Sequence, residues 1–472
     1  MTTASYKQST IVSLLLAGTF IAILNQTLMI TAIPPVMAEM NVTANSAQWL
    51  TTVFMLVNGI MIPVSAFLLS RFTTRQLFLT AMSVFAFGTL VAGVAPNFGM
   101  LLLGRVIQST GAGVMLPLMQ TVFLMIFPKN KRGAAMGLVG LVISFAPAIG
   151  PALSGWVTSN YSWRLLFFII LPIALIDIAI AYVALKNVTE VTKPKVDVIS
   201  VLLSSIGFGG LLYGFTSAGN YGWGSIITLL SLGAGGLSLI LFITRQLRMQ
   251  QPMLEFRVFN YSIFPMAIAI GMISFMGLIG AETIVPLFMQ NMREFTAFEA
   301  GIALLPGALV SGLMAPIIGR IFDKIGPRWL VMVGLIIMTA ASFAFTKLGP
   351  DTSMIYLTAT YTIRMFGLGM VMMPVATAAL NQLPRHLISH GAAMDNTMKM
   401  IAASVGTAIL VTVMTTTAEN AKQRPEIAYP DMYGANVAFM AISILSLLGL
   451  ILSLFIKNES TMEDKRIKKV NA

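Results

Sequence analysis

The chain has 472 residues, 57% of them hydrophobic and 10% charged, with a mean hydropathy of +0.86. These values exclude an ordinary soluble globular protein and point to an all-α polytopic membrane protein. A net charge of +12 would suit a nucleic-acid partner, but its placement assigns it to membrane orientation, and the lack of cysteine removes disulfides, thiol chemistry and thiolate metal sites.

Runs of about 20 apolar residues predict fourteen spans, at 11–33, 48–70, 77–95, 98–126, 132–156, 163–185, 197–217, 224–245, 261–290, 297–318, 328–347, 352–381, 388–416 and 434–456. The first is too long for a signal-peptide core and has no small-residue cleavage site, so it is read as a retained span. An even number puts both termini on one side. With that side taken as the cytoplasm, its segments hold 21 of the 29 lysines and arginines, including Arg71, Arg75, Lys129, Lys131, Arg132, Lys193, Lys195, Arg320, Lys324, Arg328 and five in the tail from Lys457. The opposite side holds five (Arg164, Arg293, Lys347, Lys422, Arg424), and Arg105, Arg364 and Lys399 fall within spans. That asymmetry predicts a plasma-membrane protein with both termini cytoplasmic.

An internal repeat divides the chain. PVSAFLLSRFTTRQL from Pro63 aligns with PIIGRIFDKIGPRWL from Pro316, and Gly104, Arg105, Gly111 and Gly113 are echoed by Arg364, Gly367 and Gly369. Two similar halves in one orientation predict two six-helix bundles, 1–190 and 258–457. The segment 191–257 then holds two additional helices, and 458–472 is a cytoplasmic tail.

The stretch 137–155, GLVGLVISFAPAIGPALSG, carries Gly137, Gly140, Ser144, Ala148, Pro151 and Gly155 at helical spacing, a face that lets another helix come close. Pro147 and Pro151 withdraw the partners of the Ile143 and Pro147 carbonyls, so the helix is expected to bend there. With Gly150, this stretch resembles the fifth-span antiporter motif of the major facilitator superfamily, with Ala146 and Ser154 where glycine is usual. Gly319-Arg-Ile-Phe-Asp323-Lys-Ile-Gly326-Pro-Arg328 resembles that family's cytoplasmic loop motif, GxxxDxxGxR. Its logic is a tight turn whose carboxylate and cations pair across the bundle interface in one state and part in another. In the first-half copy, Ala66, Ser70 and Thr73 replace the glycine, aspartate and glycine, so the second half must carry such a lock.

Leu103-Gly-Arg105-Val-Ile-Gln108-Ser-Thr-Gly111-Ala-Gly113 is similar to the family's fourth-span motif, whose arginine is associated with proton-linked movement. An arginine inside an apolar span is a functional hypothesis by default. Trp163-Arg164 with Phe167 opens the sixth span in the family manner and is read as an interfacial anchor. Ala22-Ile-Leu-Asn25-Gln26-Thr27 resembles the first-span motif, but Asn25 stands where many relatives have aspartate and cannot titrate. Asn25 and Gln26 are expected to hydrogen-bond substrate or a neighbouring helix.

Three acidic residues stand well inside spans, and they are the candidates for proton coupling with Arg105. Glu282 has no lysine or arginine within a helical turn; Asp177 lies in the sixth span; Asp395 precedes Lys399 by four residues, which favours a local ion pair. Glu282 is also a candidate for binding a cationic substrate. His386 and His390 have the i, i+4 spacing of a metal pair but no carboxylate or cysteine nearby to complete a set, so no metal is expected. Many of the 34 methionines are apolar filling, and flexible thioethers suit a pocket for varied apolar ligands.

Taken together, these motifs resemble the fourteen-span drug/proton antiporters of bacteria, in the lincomycin and multidrug efflux branch. That resemblance implies export of amphipathic, often cationic, drugs in exchange for protons by a monomer with no cofactor. The alternative on the same fold is an exporter or symporter of a specific physiological solute or lipid. A membrane-embedded enzyme lacks the clustered residues it needs, and no GxxxxGK[ST] is present for ATP-driven transport.

Overall fold

The computed structural model describes residues 8–188, 191–192 and 196–456. Lys7, Lys193, Lys195 and the tail 458–472 with its preceding Lys457 lie outside the described residues. Each predicted span is a helix: α1 (Gln8–Met40), α2 (Ala44–Arg71), α3 (Thr74–Gly93), α4 (Phe98–Ile126), α5 (Arg132–Asn160), α6 (Leu165–Ala184), α7 (Val198–Tyr221), α8 (Ile226–Arg248), α9 (Phe264–Leu287), α10 (Ala297–Ile325), α11 (Pro327–Ala344), α12 (Met354–Asn381), α13 (Ile388–Lys422) and α14 (Pro430–Ser453). All fourteen are long and apolar enough to cross a membrane, and there is no strand among the described residues.

Helices α1–α6 pack on one another, as do α9–α14. The two groups meet chiefly through α5 against α10 and α2 against α13. Sequence periodicity explains the lengths, because an apolar run of this size satisfies its backbone internally and exposes only side chains to lipid. It does not explain the end of α1, expected near residue 33. The helix continues through Pro34 and Pro35 to Met40. Its extension is held by Glu39, which accepts from Trp163 Nε1 at 2.7 Å and pairs with Arg164, while Arg164 Nη2 donates to the Ala95 carbonyl at 2.9 Å. Trp163 is only 2% exposed. The Trp163–Arg164 pair is therefore an internal clasp between α1, the α3–α4 turn and α6, not the interfacial anchor expected from sequence.

The additional helices α7 and α8 cross through small residues. A Cβ on Gly210 would lie 2.8 Å from Gly235 Cα, and one on Gly235 would lie 2.7 Å from the Leu211 nitrogen. At one end, Arg245 grips Asp197 with two hydrogen bonds, at 2.8 and 3.1 Å, and its guanidinium holds the Asp197 carboxyl below the usual carboxylate range. Gln246 accepts from the nitrogens of Met253 and Leu254, joining the helix pair to the segment that leads to α9. Helix α7 lies in the groove between α2 and α13: Leu212 fills the space beside Gly59, Tyr213 stacks on Trp49 at 5.7 Å, and Trp223 Nε1, in the α7–α8 turn, donates to Thr412 Oγ1 at 2.9 Å. The pair is thus packed against both bundles at one seam.

The crossing gives a controlled test. Gly235→Leu forces α7 and α8 apart and is expected to lower the melting temperature of the purified protein by several degrees, whereas Gly236→Leu, where a Cβ meets open space, leaves it unchanged. Equal melting of the two variants in a thermal-shift assay would contradict this packing.

Candidate functional site

The helix ends that carry most of the arginines and lysines lie at one membrane face, called here the basic face. At that face the bundles are latched by polar groups from opposite halves of the sequence. The first N–H groups of any helix have no intrahelical acceptor and carry the positive end of the helix dipole. In α5 two of them, on Gly133 and Ala134, donate to the Asp323 carboxylate at 2.7 and 2.9 Å. Asp323 is carried there at the end of α10, which stops at Gly326 with φ +77°, a left-handed turn that glycine adopts without strain, and Pro327 then opens α11. Arg132 donates to Asn381 at 3.0 Å, and Asn396 Nδ2 donates to Gln120 Oε1 at 2.6 Å.

Small residues make this approach possible. A Cβ on Gly133 would sit 2.6 Å from Asp323 Oδ1, one on Gly319 would sit 2.7 Å from the Gly133 carbonyl carbon, and one on Gly137 would sit 2.8 Å from Pro316 Cα. Farther along, the Ser144 and Ser311 hydroxyls meet at 3.2 Å. Two expectations are corrected. The carboxylate of the loop motif engages a helix N-terminus, not a cation, and Arg328 is exposed with no ion pair among the described residues. A Cβ at Gly155 would meet open space, so the close helix approach expected of that face does not reach it. The degenerate first copy takes no part in such a latch: Ser70 Oγ turns back to the Ala66 carbonyl and Thr73 caps its own helix.

The geometry away from the basic face follows from helix periodicity. Eighteen residues are five turns, so Gly155 lies on the same face of α5 as Gly137, and Gly301 on the same face of α10 as Gly319, about 27 Å away. Gly137 and Gly319 are pressed against the partner helix, whereas a Cβ at Gly155 or Gly301 meets nothing within 4 Å. Helices α5 and α10 therefore come into near backbone contact at the basic face, and the small-residue contact does not extend to Gly155 and Gly301. Helix α5 remains one helix through Pro147 and Pro151, and Gly150 between them abuts Thr27 of α1.

Arg105 is fully buried in the first bundle. Its Nε donates to the Leu50 carbonyl at 3.2 Å, its Nη1 to Asn25 Oδ1 at 2.6 Å and Gln108 Oε1 at 3.0 Å, and its guanidinium lies 4.2 Å from the Phe54 ring centre. Gln108 continues the chain to Thr89 at 2.8 Å. Asn25 is thus the neutral partner of Arg105, 1% exposed, and of the two expected partners, substrate or a neighbouring helix, its side chain meets the helix. Gln26, on the adjoining face, is half-buried.

The three carboxyls have separate surroundings. Asp395 is 1% exposed and paired with Lys399 at 2.6 Å, the local ion pair its spacing favours. Asp177 is buried within the first bundle, its Oδ2 without a hydrogen bond, among Gly18, Phe78 and Met115. Glu282 alone of the three is exposed. It sits about 200° around α9 from Gly280, whose own face packs on Leu410 of α13 and Ile442 of α14. The carboxyl is consequently turned away from α13 and α14, within electrostatic reach of Arg364 and Tyr361 on α12. His390 Nδ1 accepts the Glu255 N–H at 3.2 Å, which uses that ring nitrogen structurally. Sequence reading missed the Arg132–Asn381 and Gln120–Asn396 contacts. The available signal was polar side chains inside apolar spans, but their partners lie 249 and 276 residues away.

Two bundles of membrane-spanning helices, latched at one face and with charged groups buried inside each, are the build of a transporter and not an enzyme. The chain belongs to the Major Facilitator Superfamily, whose family model matches residues 15–407. It is 54% identical to the uncharacterized MFS-type transporter YcnB of Bacillus subtilis (strain 168), over 96% of each chain. It is 41% identical to the lincomycin resistance protein LmrB of Listeria monocytogenes, over 95% of this chain and 96% of that one. The crystal structure of the human organic anion transporter MFSD10 shares the fold, with a TM-score of 0.70 at 14% identity, covering 95% of this chain and all of the other.

The latch is open to direct measurement because the chain has no native cysteine. A Ser144→Cys/Ser311→Cys pair is expected to crosslink readily on oxidation. Adding Asp323→Ala removes two charge-assisted hydrogen bonds and should slow crosslinking about tenfold. An unchanged rate would remove Asp323 from the closure.

Proposed function

We propose that this protein is a proton-coupled efflux antiporter that expels amphipathic, cationic drugs across the plasma membrane by alternating access. The observation that carries the reading is Glu282, a carboxyl exposed within an apolar span of the second bundle. Likeness to a lincomycin resistance protein over 95% of the chain supports a drug as the cargo. The excess of lysine and arginine on one side supports a cytoplasmic basic face and cytoplasmic termini.

The cycle follows from charge. With the cavity inward, a deprotonated Glu282 attracts a cationic or hydrogen-bonding drug, assisted by the polar edge of α1 at Gln26. With the cavity outward, a proton from the acidic side neutralises the carboxyl and displaces the drug, and the neutral form reorients without a bare charge in low dielectric. Breaking the Asp323 latch opens the basic face, and re-forming it closes that face. Arg105, tied to α1 through Asn25 and to α2 through Leu50, makes those helices move with α4. Asp177 and Asp395 are the reserve carboxyls for coupling. Each net charge moved gains about 2.3 kcal/mol per 100 mV, so a neutral drug exchanged for one proton is concentrated roughly 50-fold at that potential. Exchange of one proton for a monocation is electroneutral and is driven by the pH difference alone. The transporter acts as a monomer, with the proton as its coupling ion and no other cofactor.

Proton release from inside-out vesicles on adding ethidium or lincomycin tests the reading. The wild type is expected to release protons and Glu282→Gln is not. Release that survives in the variant would move the coupling site to Asp177 or Asp395, and no release with any drug in a panel would overturn drug/proton exchange.

A further inference from the structure

The side of α8 that is turned away from α7 changes character in its last turn. Leu230, Gly233, Ala234, Leu237 and Leu241 follow one another at helical spacing and are all exposed, so they form a single stripe along the helix. Thr244 and Arg248 carry the same stripe on to the basic face, with Arg245 beside them. The opposite side, with Gly235 and Phe242, is the one buried against α7. An apolar surface that meets no other helix therefore ends in a hydroxyl and two guanidinium groups.

Both parts of the stripe have a shape. At Gly233 a Cβ would meet nothing within 4 Å, so Leu230 and Leu237 stand on either side of a shallow trough. Gly233 is twelve residues from Arg245, about 18 Å along the axis, and one leaflet of hydrocarbon is about 15 Å deep. At the polar end, Thr244, Arg245, Arg248 and Met249 line an open cavity of about 290 Å³, room for a phosphate ester and several waters. The charges there do not cancel. Asp197 neutralises Arg245 through Nε and Nη2, and Glu255 answers Arg257. Arg248 is exposed and has no ion pair among the described residues, so the cavity keeps a positive charge. Thr244 spends its proton on the Leu241 carbonyl at 3.0 Å, which leaves its oxygen free to accept.

We propose that α8 carries a site for one anionic phospholipid with a hydroxyl-bearing head group. Arg248 and the remaining Nη1 of Arg245 bind the phosphate, Thr244 accepts from a head-group hydroxyl, and an acyl chain lies in the trough at Gly233. A free phosphate ion could use the cavity but not the trough, and a neutral lipid could use the trough but leaves Arg248 unanswered. The site lies on the outer side of the α7–α8 pair, away from both bundles, and is independent of what is transported.

Native mass spectrometry of the full chain in detergent, titrated with phosphatidylglycerol or phosphatidylcholine, tests the site by counting retained lipids. The wild type is expected to hold one phosphatidylglycerol about fivefold more tightly than Arg248→Gln does. Arg385→Gln, which removes an exposed cation elsewhere on the basic face, should bind as the wild type does. Gly233→Leu fills the trough without altering a charge and should also weaken retention of phosphatidylglycerol. Arg245 is kept in every variant because it holds Asp197. A thermal-shift assay supplies the second reading: phosphatidylglycerol should raise the melting temperature of the wild type and not of Arg248→Gln, because a ligand of the folded state stabilises it by mass action. Equal losses in Arg248→Gln and Arg385→Gln would reduce the effect to diffuse attraction by a basic surface and overturn the proposal. Protection by inorganic phosphate, with Gly233→Leu behaving as the wild type, would make the cavity a free-phosphate site and overturn the lipid assignment. Phosphatidylcholine held as tightly as phosphatidylglycerol would overturn it as well.

Discussion

An α-helix leaves its first N–H groups without acceptors, and in α5 two of these are satisfied only by a carboxylate from the other bundle. The Asp323 contact with Gly133 and Ala134 is therefore both a cap and a latch. It stabilises the end of α5 only while the bundles are together at the basic face, so helix capping becomes dependent on conformation. The rest of the arrangement is consistent with that role. Glycines at 133, 137 and 319 bring the backbones into near contact, and Gly326 provides the turn that aims the carboxylate.

Within the bundles, polar side chains in an apolar interior specify which helices move together. Arg105 gathers α1, α2 and, through Gln108 and Thr89, α3 onto α4, with Asn25 as a neutral acceptor. The acceptors of that network are all neutral, and Nη2 of Arg105 is left without a partner. Its counterpart Arg364 has no amide partner, and its one hydrogen bond runs from Nε to Ser342. The two halves share a repeat but not a chemistry. One arginine is held through two of its three nitrogens and the other through one.

The additional pair α7–α8 is an asymmetric feature of the assembly. It packs along the α2–α13 seam through Leu212, Tyr213 and Trp223, while the α5–α10 seam carries the Asp323 latch. Access between the bundles from the bilayer is accordingly obstructed on one side by two extra helices. The small-residue crossing at Gly210 and Gly235 and the Asp197–Arg245 pair hold those two helices as a unit.

The sequence alone determined the class, the fourteen helices and the two-bundle repeat, because each depends on local hydrophobicity and on residues close together in the chain. The Asp395–Lys399 pair was legible for the same reason, being one helical turn long. Glu282 could be picked out as a carboxyl with no local partner. Other features depended on packing between distant segments. Asn25 looked available to substrate until its side chain was found against Arg105, 80 residues away, and Trp163 looked interfacial until Glu39 was found beside it. The continuation of α1 through two prolines was equally illegible, since the clasp that holds it is tertiary. Only the tertiary structure decided that Asp323 meets a helix N-terminus instead of a cation, that Gly155 faces open space, and that Arg364 keeps two donors unfilled. The physical reason is common to all of them. A span's hydrophobicity fixes that it crosses the membrane, but the partner of a buried polar group is fixed by which helix lies opposite, and in a membrane bundle that helix is commonly far away in sequence.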